Sequence, residues 1–285
     1  MVWSLILLLG LGTGHALFSQ VENTLVSKQI VSSGFLDQFA YSGKYLDVSG
    51  ETRDARATFW KPDGSIVFLA GRNTNNVVAY QLHEPWQIHT ATYLHEITVP
   101  GEFQNGLYFR HDGMMKWVFD RTGIWSFNLE RPWDITSRSE GTNHDLSHFM
   151  LRGHDVDFHP DGTRLFIDDR DAGAIFEYTL SVPWDIASGT LTYTLDISHE
   201  QKEVRGIEFI MDGMVMILMD TGRNELLHYE MDAPYHIPSA RLVNTFNIRS
   251  QSRQGRGLSF NATLTSFYVT GRDEGKIFQY NLNLK

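Results

Sequence analysis

Two short phrases recur in register about every fifty residues, strand-like runs alternate with turn residues between them, and helical periodicity is absent. Together these predict an all-β chain, a five-bladed β-propeller of four-stranded antiparallel blades. The first phrase is Trp60-Lys61-Pro62-Asp63-Gly64. It returns as Phe109-Arg110-His111-Asp112-Gly113, Phe158-His159-Pro160-Asp161-Gly162 and Phe209-Ile210-Met211-Asp212-Gly213, with glycines 49, 49 and 51 residues apart. A degenerate fifth copy, Phe260-Asn261-Ala262-Thr263, has lost the Asp-Gly pair. The second phrase keeps the same beat as Pro85-Trp86-Gln87-Ile88, Pro132-Trp133-Asp134-Ile135, Pro183-Trp184-Asp185-Ile186 and Pro234-Tyr235-His236-Ile237.

The third copy shows how each element is assigned. Val156 to Phe158 reads as a short inner strand and Pro160-Asp161-Gly162 as a tight turn, because Asp bonds its own backbone and Gly accepts positive φ. Arg164 to Ile167, Ala174 to Leu180 and Thr190 to Ile197 supply the next three strands. Pro-Trp should end the third strand, since proline cannot donate to a ladder, and the indole should cover a sheet edge. In the second copy the polar stretch Ser137 to Asn143 replaces the usual opening of the fourth strand, so that blade should be frayed. The fifth copy ends after its third strand, Lys276 to Leu282. Lys44-Tyr45-Leu46-Asp47-Val48-Ser49 aligns with the fourth-strand sequence Thr194-Leu195-Asp196-Ile197-Ser198, so an N-terminal strand should complete the last blade and close the ring. The propeller is expected over residues 42–285, after an extended arm over residues 18–41. Trp60, Phe109, Phe158, Phe209 and Phe260 share one repeated position and should form a core layer between blades.

Residues 1–17 contain no Asp, Glu, Lys or Arg, and Trp3, Leu5, Ile6, Leu7, Leu8, Leu9 and Leu11 make an almost unbroken apolar run. Three readings compete: a retained anchor buried in a larger assembly, a signal peptide cut after Ala16, and a membrane span. The run is short of the roughly 20 residues a span needs, and it lacks the basic start of a signal peptide, so the anchor is preferred. Burying it would contribute roughly 10 kcal/mol before entropic costs.

Composition narrows the function. With 24 Lys and Arg against 34 Asp and Glu the net charge is −10, which repels a phosphate backbone, so no nucleic-acid partner is expected. There is no cysteine, hence no disulfide, thiolate metal site or cysteine nucleophile. Hydrophobic residues at 42% and charged residues at 20% fit a folded globular body rather than a disordered chain or polytopic membrane protein. The Phe-x-Pro-Asp-Gly and Pro-Trp-Asp-Ile phrases at this spacing resemble the repeats of propeller proteins encoded by aquatic bacteriophages and some bacteria, placed among tail, fibre or surface proteins. That resemblance covers about residues 42–282. It implies a virion location and a structural or adhesion role, in an oligomeric assembly with other virion or surface proteins or on a host glycan or receptor. A secreted or cell-surface lectin-like binder is the alternative, and membrane contact is less favoured.

Candidate site residues come from aligning the copies on the turn glycine. Arg56, Asn105, His154, Arg205 and Arg256 fall at one position before each inner strand and should ring one mouth of the channel. Three converging guanidiniums call for an anion, such as an acidic sugar, or for carboxylates; Asp155, Glu203 and Glu208 are the nearest in sequence. The bland alternative is blade-to-blade salt bridges. Asp155, Asp157 and His159 alternate along one strand, but alternate residues lie nearly 7 Å apart, too far for three ligands on one ion, so no metal or other cofactor is expected. No Gly-x-Ser-x-Gly elbow, His-Glu-x-x-His helix or phosphate-cradling loop is present. A non-enzymatic role is therefore expected, with a hydrolase or lactonase at the channel mouth as a further alternative.

Overall fold

The computed structural model describes residues 34–283, apart from residues 53, 102–103, 121–122 and 148–150. The propeller is the compact unit Leu36–Lys285. The proposed anchor, Trp3, Leu5, Ile6, Leu7, Leu8, Leu9 and Leu11, lies outside the described residues.

Each blade is a four-stranded antiparallel sheet numbered outward from the axis. Blade I holds β2 (Ala55–Trp60), β3 (Ile66–Gly71), β4 (Asn76–Leu82) and β5 (Ala91–Thr98). Blade II holds β6 (Gly106–Phe109), β7 (Met115–Phe119), β8 (Gly123–Asn128) and β9 (Thr142–Asp145). Blade III follows with β10 (Gly153–Phe158), β11 (Arg164–Asp169), β12 (Ala174–Leu180) and β13 (Gly189–Asp196), and blade IV with β14 (Val204–Ile210), β15 (Val215–Asp220), β16 (Glu225–Glu230) and β17 (Arg241–Asn247). Blade V is β18 (Gly255–Phe260), β19 (Ser266–Gly271), β20 (Lys276–Leu282) and, outermost, β1 (Phe39–Asp47). The inner strands touch in the cyclic order β2, β6, β10, β14, β18 and back to β2, so the ring is closed. The second blade's outer strand spans only Thr142–Asp145, as its polar opening predicts.

The N-terminal strand does close the last blade. Phe39 pairs with Leu282 and Asp47 with Lys276, either side of an irregularity between Tyr41 and Tyr45. Asp47 accepts from Ser49 N, the same turn that Asp196 makes with Ser198 N at the end of β13. One boundary needs correction. Gln38 O accepts from Asn283 N, and β1 starts at Phe39, so the propeller begins near residue 36 and takes residues 36–41 from the span read as an arm.

The core lies between blades, built as a repeated stack of rings. Phe109 packs on Phe68 of the preceding blade (centroids 4.4 Å apart), Phe158 on Trp117 (4.7 Å), Phe209 on Phe166 (4.6 Å) and Trp60 on Tyr268 (4.2 Å). The outer side of each of these rings meets the aromatic of its own Pro-Trp phrase: Trp133, Trp184, Tyr235 and Trp86, 5.1–5.7 Å away.

These phrase aromatics do not cap sheet edges; they clamp the hairpin turn. Trp184 N donates to Gly162 O at 2.9 Å, and a Cβ on Gly162 would fall 2.3 Å from the indole. The same holds for Trp86 over Gly64, Trp133 over Gly113 and Tyr235 over Gly213. Each clamping aromatic has φ between +56° and +68°, a left-handed backbone that costs a bulky residue energy and persists here because stacking and the hydrogen bond hold it. The two phrases are thus halves of one device, and the fifth turn, which has no Asp-Gly pair, is built differently. There Asn261 builds the turn instead: Oδ1 accepts from Thr265 N and Ser266 N, and Leu264 takes the left-handed position.

Candidate functional site

The inner strands present their residues to the axis in layers. Next to the mouth position stand Ala57, Gly106, Asp155, Gly206 and Gly257, and where glycine occurs neighbouring backbones close in. A Cβ on Gly257 would lie 2.5 Å from Arg56 O, and one on Gly206 would lie 2.9 Å from Arg256 O. Ala57 N donates to Asn105 O across the same layer. Beyond this waist is a cavity of about 340 Å³, whose wall includes Trp60, Tyr108, Asp155, Asp157, Glu208 and Tyr235 and none of the five mouth residues.

Arg205 reaches His154 directly, and Arg56, Arg205 and Arg256 lie near enough for their charges to bear on one another. Arg56 and Arg256 are 2% and 4% exposed, Asn105 and His154 are also buried, and Arg205 leaves only 8% of its side chain in water. Arg56 Nη2 bonds Asp54 at 2.7 Å, Arg205 Nη2 bonds Glu203 at 2.9 Å, and Arg256 Nη2 bonds the neutral Gln254 at 2.6 Å. Arg205 Nη1 donates to His154 Nε2 at 3.1 Å, with His154 Nδ1 3.2 Å from Arg152 O. Burial, followed by the charges of Arg205, Arg56 and Arg170, holds His154 well below the ordinary histidine range, so it is neutral and accepts. Blade V joins blade I where Arg272 Nε lies 3.4 Å from Asp54 Oδ1.

Five guanidinium nitrogens in this ring have no hydrogen-bond partner: Nε and Nη1 of Arg56, Nε and Nη1 of Arg256, and Nε of Arg205. Burial pushes Arg56 down to about 10 against the help of Asp54. Arg256, buried among Arg205, Arg56 and Arg272, is pushed down to about 8. A guanidinium keeps its proton at neutral pH, so proton loss does not relieve this destabilisation.

Of the three carboxylates expected to balance the arginines, only Glu203 does so. Asp155 and Glu208 instead reach across to the next blade's backbone. Both oxygens of Glu208 accept from Phe260 N at 2.9–3.0 Å, Asp155 takes the N–H groups of Val156 and Ile207, and Asp157 holds Phe209 N at 2.9 Å. They are struts between inner strands. Burial raises Asp155 and Glu208 well above the usual carboxylate range and Asp157 to about 7. Asp168, which accepts from His154 N and Asp155 N, is likewise raised to about 7 by burial. His159 goes elsewhere, pairing with Asp161 at 2.6 Å in the turn.

Sequence reasoning missed Asp54 and Gln254, although a signal was present. Asp54, Glu203 and Gln254 each stand two residues before an arginine of the series, a spacing that puts both side chains on one side of an extended chain. The struts carried no local signal, because their partners lie 52 residues away.

No family model and no curated protein matches this chain. Among solved structures it is similar to a functionally unknown protein from Desulfotomaculum acetoxidans, with 12% identity and a TM-score of 0.46 over 76% of this chain and 62% of that one. It is also similar to a protein titled as a candidate 6-phosphogluconolactonase from Bacteroides uniformis, with 15% identity and a TM-score of 0.42 over 66% of this chain and 52% of that one. A third is the periplasmic gluconolactonase of Pseudomonas aeruginosa, with 20% identity and a TM-score of 0.42 over 68% of this chain and 53% of that one. The chain covers less than two thirds of the length of each.

Proposed function

We propose that this protein is a non-enzymatic recognition propeller that captures an anionic ligand at the mouth formed by Arg56, Arg205 and Arg256. The observation that carries this reading is the set of buried guanidinium nitrogens without partners. Binding rather than turnover is supported by the carboxylates an acid–base reaction would use, Asp155, Asp157 and Glu208, being engaged with backbone N–H groups. Titration calorimetry with glucuronate and with inorganic phosphate tests it. At least one should bind, and Arg205→Met with Arg256→Met should abolish binding while the circular dichroism spectrum stays that of the parent. Failure of both anions, or unchanged binding in the double variant, refutes the reading.

The second part of the proposal is attachment to a virion assembly through residues 1–17, supported by their apolar run and by the repeat resemblance. Deleting residues 2–17 should leave a soluble, folded propeller that no longer incorporates; equal incorporation refutes it. An intact mass beginning at Leu17 would favour the secreted lectin-like reading instead.

A further inference from the structure

We infer that the cavity at the turn end of the channel takes a small organic cation, a free amine or quaternary ammonium, held between the rings of Phe59 and Tyr108 and the carboxylates of Asp157 and Glu208. This site is separate from the arginine mouth, none of whose five residues lines it, and goes beyond the function proposed above. Two residues past the waist, each inner strand contributes to a further layer: Phe59, Tyr108, Asp157, Glu208 and Ser259. Their ladder partners are the equivalent residues Phe68, Trp117, Phe166, Ile217 and Tyr268. All five residues of the layer line the one cavity. Rings stand in blades I and II and acids in blades III and IV, so the layer is aromatic along one arc and acidic along the next. Its rim is made by exposed turn residues, Pro62, His111, Pro160 and Ala262, which gives a ligand a way in. At about 340 Å³ the space is over twice the roughly 150 Å³ that encloses benzene, so a ligand of about ten heavy atoms has room.

The wall contains no Lys or Arg, and the neighbouring charge that bears on Glu208 is the like charge of Asp157. Both acids lie deep in the molecule yet are only half-buried, because they face the cavity. Asp157 accepts one backbone N–H on each oxygen, from Phe158 and Phe209, and the two oxygens of Glu208 share Phe260 N, which leaves lone pairs on both carboxylates for a ligand. Tyr235, 7% exposed, lines the same space, and its hydroxyl, near enough to Asp157 to feel its charge, has no hydrogen-bond partner among the described residues. An aromatic face is negative and so is a carboxylate, so the group both attract is a cation. An anion is repelled, and a neutral guest leaves the acids without a counter-charge. Burial raises Asp157 to about 7 and Glu208 well above the carboxylate range; an ammonium in contact favours the ionised forms. With no Lys or Arg to take an adjoining phosphate, the wall suits a free amine rather than a zwitterionic lipid headgroup.

Calorimetric titrations of the full chain at pH 8 use two pairs matched in shape and differing in charge: choline against its uncharged carbon analogue dimethylbutanol, and benzylamine against benzyl alcohol. At least one cation should bind, about tenfold or more tighter than its neutral partner. A neutral partner that binds as tightly as its cation, or failure of both cations, overturns the proposal. Phosphocholine should bind less tightly than choline; tighter binding overturns the free amine in favour of a lipid headgroup. Two variants test the walls. Glu208→Gln keeps an oxygen for Phe260 N and removes the charge, and Phe59→Leu removes the half-buried ring. Each should weaken the bound cation by about fivefold or more while the circular dichroism spectrum stays that of the parent. Unchanged affinity in either refutes the assigned walls. The matched pairs need no variant, so they decide the preference for charge even where Glu208→Gln fails to fold.

Discussion

Replacing Gly257 by alanine tests the waist of the channel and the closure of the ring together. Gly257 lies in β18, where blade V meets blade I, and its backbone needs no left-handed geometry, so the effect of a methyl group is steric. The new Cβ would stand 2.5 Å from Arg56 O and 2.9 Å from Ala57 Cα, against an ordinary contact that begins at 3.4 Å, so the inner strands must part by up to about 0.9 Å. Both obstacles are backbone and cannot rotate away. Overpacking of this kind costs about 1–3 kcal/mol, and a rigid obstacle puts Gly257→Ala near the top of that range. For a domain of this size that lowers the melting temperature by roughly 5–10 °C. Gly50→Ala, where nothing lies within 4 Å of the added carbon, is the control and should shift stability by less than about 0.5 kcal/mol. Urea unfolding and thermal melts of the two variants give the comparison. Because Arg56 O is the nearer obstacle, Gly257→Ala should also weaken anion binding. If the two alanine variants are equally stable, the inner strands do not approach as described and the closed waist is wrong.

Further predictions concern the clamp, the buried acids and the closing strand. Trp184→Ala should destabilise by about 2 kcal/mol or more, and Gly162→Ala by at least as much because it strains φ and strikes the indole; the double variant should be less destabilised than the sum, and strict additivity in denaturant unfolding would show no contact between turn and ring. Asp168 is held near 7, against about 3.9 in an unfolded chain, so its ionisation removes stability as pH rises from about 4 to 7, on the order of 4 kcal/mol at most. His154 and His228, lowered by burial, act in the opposite direction over the lower part of that window, so the comparison must be between Asp168→Asn and the parent: the variant should be more stable at pH 8 by clearly more than at pH 5, and an equal difference at both would contradict the raised carboxyl. Removing residues 1–47 strips β1 from β20 and leaves an unpaired edge, so the truncated chain should associate on size exclusion with light scattering; a stable monomer would argue against closure by β1.

Most of the architecture was legible because a repeat shows its period even when its contacts are hidden. Turn glycines 49–51 residues apart marked the blades, and the match of Leu46-Asp47-Val48-Ser49 to Leu195-Asp196-Ile197-Ser198 marked the closing strand. The start of that strand was less legible, since Phe39 and Tyr41 belong to β1 only by pairing with Leu282 and Tyr280 at the other end of the chain. Alignment alone singled out Arg56, Asn105, His154, Arg205 and Arg256, but not the side chains they bond. Proximity in sequence suggested Asp155 and Glu208 as counterions, whereas strand alternation turns Asp155 away from Arg205 and carries Glu208 to the backbone of Phe260. The joint purpose of the two repeated phrases was equally hidden, because the contact of Gly162 with Trp184 exists only once the hairpin has folded back.

The pairing of β1 with β20 also has a bearing on how the molecule is made. Ser42 Oγ donates to Gln279 O across 237 positions of sequence, so the strand Phe39–Asp47 has no partner until Lys276–Leu282 has left the ribosome. Blades I to IV can each form from local hairpins as they emerge, while the ribbon Phe39–Asp47 waits with an open ladder. Sealing the toroid is then the slow, high-contact-order step of folding, and the interval before it is when the nascent chain is most vulnerable to capture by a neighbour.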